Sequence, residues 1–288
     1  MSTIERVSVG EKIAWVAAAI TTPETFHKRA RLATEELGAQ CIPLLPSFFH
    51  KPPSSPGEAG DQFQGLGQWM AVCQAAIFEM LYYFREAALP LLRQVAFGEY
   101  DWTQARAIEI VCRFAIEGIE REQIDRELAQ ELPQLCYETV MRVRNVLAQL
   151  TVVAPRLKVA FHTLIHDYMQ EDPVDALDLI EALASADPPS TSVYEAFLRR
   201  LMHGEMLAGR HPILDGLIIE RKPDGSEIVH GTPLPSDFHP IRATLVLLRL
   251  LPDDETIVAE VRRWATIHPD EKVREELRQQ LESREQHT

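Results

Sequence analysis

The sequence predicts an all-α fold with a single two-stranded exception, and three observations carry that expectation. Apolar residues recur at helical spacing along most of the chain. Helix-opening and helix-closing residues punctuate the pattern, as at Thr22-Pro23 and Gly38. Strand chemistry is confined to 217–231, where two short β-branched runs flank the turn-forming Lys222-Pro223-Asp224-Gly225.

The elements follow in order. A first helix is expected over roughly 10–20, and a second opens with Thr22 as N-cap, Pro23 at the first helical position and Gly38 as the stop. Residues 1–45 thus form an N-terminal helical hairpin. Residues 46–63 read as a loop, because 46–61 hold four prolines and two glycines. From 64 to 288 helix follows helix. "GLGQWMAVCQAAIFEMLYYF" (65–84) is apolar nearly all round and belongs in the interior. Helices are expected at 86–98, 101–118, 121–131, 132–150, 155–169 and 172–186, then over 190–207 as far as the hairpin. Three more close the chain near 239–251, 254–267 and 269–284. An isolated hairpin is marginal in water, so its apolar face must lean on neighbouring helices with Arg221, Lys222, Asp224 and Glu227 outward.

Composition bounds the function. The chain has 288 residues, 46% hydrophobic and 25% charged, with a net charge of −14. That charge disfavours nucleic acid or an anionic membrane as partner and favours a basic protein surface. "KIAWVAAAI" (12–20) is too short to span a bilayer, which takes about 20 apolar residues. Glu5 and Glu11 beside Arg6 and Lys12 spoil a basic leader, so a cytoplasmic protein is expected. Cys41, Cys73, Cys112 and Cys136 are too widely spaced for a thiolate metal site and read as small hydrophobes. His162 and His166 in "HTLIHD" stand one helical turn apart, the one weak metal candidate. Two ligands make no site, and the row Lys158, His162, His166, Gln170 reads as a solvated face. Nucleophile elbows and phosphate loops are absent from the sequence, so no catalytic residue and no cofactor is expected.

One charge pattern is sharper. Between Val159 and Leu198 lie eight acidic residues and no Lys or Arg. Glu171, Asp175 and Asp178 share a helical face, with Glu181 following. Such a run either faces water or meets something basic. The expected partner-binding residues are therefore Glu171, Asp175, Asp178 and Glu181, with Arg221 and Lys222 at the hairpin.

Three segments share a local pattern: "DWTQARAIEIVCRF" (101–114), "HPIRATLVLLRLL" (239–251) and "HPDEKVREELRQQL" (268–281). Each opens with Asp or His-Pro, places an arginine soon after (Arg106, Arg242, Arg274) and continues apolar at helical spacing. This resembles the second helix of HEAT-type repeats, and the 32 residues from Arg242 to Arg274 are near a repeat length. The resemblance implies an irregular HEAT/armadillo-like solenoid with one β-hairpin insertion, a shape suited to docking another protein. That makes the chain an adaptor or scaffold, or an immunity-type neutraliser of a bacterial toxin, with the oligomeric state open. The alternative is an enzyme with an unrecognised active site on the same scaffold. Some HEAT-like proteins excise damaged DNA bases, which the acidity here opposes; others, lyases, join bilins to phycobiliproteins.

Overall fold

The computed structural model describes residues 3–56, 63, 66–99, 101–203, 218–221, 227–230, 239–268 and 270–285. Fourteen α-helices occur among them. The chain divides into two compact units, 1–160 and 161–288. The division falls far from the proline-rich 46–63 stretch, within the helix that begins at Pro155.

In the first unit, α1 (Thr3–Ala17) and α2 (Pro23–Leu37) pack on each other and on α3 (Leu66–Tyr83). The α2 boundaries follow the sequence closely. Thr22 occupies the N-cap, Pro23 the first turn, and Gly38 ends the helix at φ 67°, a left-handed angle that favours glycine. Residues Ala39–Phe48, expected to lead into a loop, form a 3-10 stretch that buries Cys41, Ile42, Leu44, Leu45 and Phe48. The short α4 (Leu89–Ala96) leads to α5 (Gln104–Ile116), which packs on α3, α4, α6 (Arg121–Glu131) and α7 (Tyr137–Thr151). Ile108, Val111, Cys112, Phe114 and Ala115 of α5 are wholly buried. α3 packs on α5 and α5 on α7, so alternate helices stack against one another.

The expected single helix over 132–150 is interrupted. Leu132–Gln134 is one 3-10 turn, Leu135 and Cys136 are extended, and α7 starts anew at Tyr137. Pro133 and the extended pair sever the helical hydrogen bonds while Leu132 and Val140 stay buried, so the apolar pattern hides the break. Next comes α8 (Pro155–Glu171), whose first turn is capped from α6. Buried Asp125 accepts from the backbone N–H of Leu157 at 2.7 Å and of Arg156 at 3.3 Å. A carboxylate at the positive end of a helix explains a buried acid there.

In the second unit, α9 (Pro173–Ala186) opens on Asp172, which accepts from the Val174 N–H. The segment expected as one helix from 190 is split into α10 (Pro188–Thr191), a 3-10 turn at Ser192–Tyr194 and α11 (Glu195–Met202). Hydroxyls compete with the helix there: Thr191 donates to the Asp187 carbonyl and Ser192 to that of Pro189. α12 (His239–Leu250) packs on α9, α10, α11 and α13 (Glu255–Ile267), and α13 packs on α14 (Glu271–Glu285). Two four-residue strands, β1 (Ile218–Arg221) and β2 (Glu227–His230), pair antiparallel with Ile219 opposite Val229. The turn that joins them, with Lys222, Asp224 and Gly225, lies outside the described residues. No helix among the described residues is long and apolar enough to cross a membrane.

Candidate functional site

The acidic run between Val159 and Leu198 is the feature that sequence marks most clearly, and the structure divides it. Asp178 and Glu181, one turn apart on α9, are both turned to Arg242 of α12. The Arg242 guanidinium donates its Nε to Glu181 at 3.0 Å and an Nη2 hydrogen bond to Asp178 and to Glu181. Arg242 is only 16% exposed at its side chain. Burial opposes its charge, but the hydrogen bonds and charges of Glu181 and Asp178 outweigh that and hold it above the usual arginine range. These two carboxylates therefore meet an internal cation, supplied from more than sixty residues away in sequence. The window from 159 to 198 holds no Lys or Arg, yet part of its charge is compensated.

The rest of the run is arranged differently. Asp172 caps α9, and Asp187 caps α10 by accepting from Ser190. Asp175 is half-buried in the first turn of α9. Asp167 and Glu171 stand exposed, one turn apart, at the C-terminal end of α8, whose last turn has no basic residue. The exposed carbonyls of a helix C-terminus already carry partial negative charge, so two carboxylates there are unfavourably placed. Neither has an ion-pair partner among the described residues.

Of the expected hairpin residues, Arg221 pairs by its backbone with Glu227, and Lys222 lies outside the described residues. His162 and His166 flank one buried phenol. The His162 Nδ1 is 2.5 Å from the Tyr194 hydroxyl, and both imidazoles lie 5.5 Å from the Tyr194 ring. Desolvation pushes the Tyr194 hydroxyl well above its usual range, so it stays protonated. His162 is thus half-buried against a tyrosine instead of lying on a solvated face. Among the described residues no three His, Cys, Asp or Glu side chains gather as metal ligands. Burial also raises the thiols, Cys41 to about 11 and Cys73 to about 12, with Cys112 higher still, so they pack as hydrophobes. Cys136 differs: it is half-buried at the α7 N-cap with its Sγ 3.2 Å from the Thr139 hydroxyl.

Sequence reading missed a polar network in the first unit. Glu79 is 7% exposed on α3 and meets His27 of α2 at 2.8 Å and Arg113 of α5 at 3.6 Å. The Arg113 guanidinium lies 3.8 Å from the Tyr82 ring, and the Tyr82 hydroxyl donates to Glu117 at 2.5 Å. Arg85 completes the chain at 2.6 Å from Glu117, with a left-handed φ of 56° that is strained for a side chain of its size. One signal was present, since Glu79 is the sole charged residue in α3. Two arginines, two glutamates and a tyrosine here pair with one another, and with His27 the network ties α2, α3 and α5 together. No protein-family model matches the chain, and no curated protein or solved structure does so either.

Proposed function

We propose that the chain is a protein-binding helical array of HEAT-like kind whose partner presents a basic surface, acting in the cytoplasm as an adaptor or as an immunity-type neutraliser. Within the first unit, the stacking of α3 on α5 and α5 on α7 supports the repeat reading, because alternate helices of a solenoid form one layer. The strand pair lies between α11 and α12 in the chain, where an insertion decorates one face of such an array. Arg221 and Lys222 at its turn are then specificity contacts.

The observation that carries this reading is the acidic end of α8. Asp167 and Glu171 raise the electrostatic energy of the free protein, both against the helix dipole and within a chain of net charge −14. A cationic partner surface relieves both penalties, whereas water only screens them. Asp175 borders the same region through α9, while Asp178 and Glu181 serve the fold by holding Arg242. The docking residues on the acidic side are thus Glu171, Asp175 and Asp167, a revision of the set that the sequence suggests.

The test is affinity capture from the native host with the intact chain and with an Asp167→Lys, Glu171→Lys chain of unchanged circular dichroism. A basic protein retained by the first and lost by the second supports the proposal. The same proteins retained by both would remove the acidic end of α8 from it.

A further inference from the structure

A cavity of about 760 Å³ lies in the first unit between α1 and the proline-rich segment after Phe48. Small-molecule sites typically measure about 300–1,000 Å³, are mostly apolar and contain a few placed polar groups. The apolar wall here is Ala14 of α1 and Ala18, one residue past the end of that helix, with Phe48 and Pro53 opposite. At Gly10 the segment closes on the helix, since a Cβ there would lie 3.3 Å from the Phe48 ring and 3.4 Å from Pro53. The space beside Ala14 and Ala18 is therefore left by small residues on α1 and at its end, and not by a segment that has come away from it.

Two charged groups reach this cavity, and they are not paired with each other. Arg29 of α2 lines it, donating from Nη1 to the Trp15 carbonyl at 2.8 Å with its guanidinium 5.1 Å from the Trp15 ring. It has no carboxylate partner among the described residues, in a chain where 43 acidic side chains face 29 Lys and Arg. Neighbouring Lys12, also 5.1 Å from that ring, is by contrast paired with Glu36. A half-buried guanidinium fixed by a backbone carbonyl keeps further N–H donors for an anion. Glu11 is exposed on the cavity wall and repels a second negative charge.

We propose that this cavity binds an amphipathic monocarboxylate, with its apolar body along Ala14, Ala18 and Phe48 and its carboxylate on Arg29. Selectivity for a single charge follows from one open cation facing one carboxylate. The ligand class is independent of the protein partner proposed above, because nothing at the acidic end of α8 enters it.

Calorimetric titration of the full chain with decanoate, using decan-1-ol and decanedioate as comparators, tests the proposal. Decanoate should bind saturably at one site. It should bind at least about tenfold more tightly than the alcohol, the ratio expected of a charge-assisted contact. Arg29→Gln should bring decanoate down to the alcohol's affinity. Ala18→Trp should abolish binding by filling the space. Decanedioate should bind more weakly than decanoate, and Glu11→Gln should narrow that gap. Circular dichroism confirms each variant as folded. If Arg29→Gln does not fold, Ala18→Trp and the alcohol comparison decide. Absence of saturable decanoate binding, equal affinity for decan-1-ol, or binding that survives Ala18→Trp would overturn the proposal.

Discussion

At the scale of single residues, several buried and half-buried charges have a named partner, and those partners make quantitative demands. Asp125 has 4% of its surface exposed and accepts the Leu157 N–H at the buried start of α8. Asp125→Ala leaves that donor without a partner and should destabilise the first unit by about 1–3 kcal/mol in denaturant unfolding. Asp125→Asn keeps an acceptor oxygen and should lose less than half as much. Equal losses for the two would show that the carboxylate is not capping α8. Glu117 makes a second demand. Its partial burial raises its pKa, but the Tyr82 hydroxyl and Arg85 lower it more, so the net shift is downward. A group held below its unfolded value binds fewer protons when folded. Its contribution is complete above the unfolded carboxylate pKa of about 4.3 and is lost as pH falls through the lower folded value. Thermal melts from pH 6 to pH 2.5 should therefore fall more steeply for the native chain than for Glu117→Gln. Parallel curves would detach Glu117 from the network. The strained Arg85 belongs to the same reckoning, since its left-handed backbone persists only while Glu117, Tyr82 and Phe114 hold the guanidinium.

Among the helices, Arg242 is the clearest tie, joining α12 to α9 through Asp178 and Glu181. Arg242→Met leaves two partly buried carboxylates facing each other. The loss should be about 2–3 kcal/mol, below the about 3–5 kcal/mol of a fully buried pair, because the acids keep 23% and 31% exposure. Adding Asp178→Asn and Glu181→Gln to that variant should recover most of the loss, which comparing the unfolding midpoints of the single and triple variants reads directly. No recovery would mean that Arg242 matters through its packing alone. The same helices show what sequence could disclose. Helix starts were legible where a cap residue followed by proline announced them, as at Thr22 and Asp172, but the start that Asp187 caps was missed. The breaks at Leu135-Cys136 and Ser190–Ser192 were not, because Pro133 and a few hydroxyls interrupt the backbone without disturbing the apolar period. The site was legible as composition but not as pairing. A window without Lys or Arg looks uncompensated until folding brings Arg242 to it. The three arginines that suggested a repeat have different partners: Arg106 pairs with Glu109, Arg242 bridges two helices, and Arg274 meets Glu271 and the His268 carbonyl.

Across the whole molecule, the net charge of −14 is the basis on which a basic partner is proposed, because opposite charge speeds encounter. Long-range steering acts on the rate of encounter more than on the final contacts, and salt screens it over a Debye length of about 8–10 Å. The central claim is that this steering is focused at the acidic end of α8, while Asp178 and Glu181 belong to the fold. The most direct measurement is the association rate of the captured basic partner with three chains: native, Asp167→Asn with Glu171→Gln, and Asp178→Asn with Glu181→Gln. At low ionic strength the α8 variant should associate several-fold more slowly than the native chain, with an unchanged melting temperature, and the difference should vanish near 1 M salt. The α9 variant should melt lower and associate at close to the native rate. An α8 variant that associates as fast as the native chain at low salt would contradict the account.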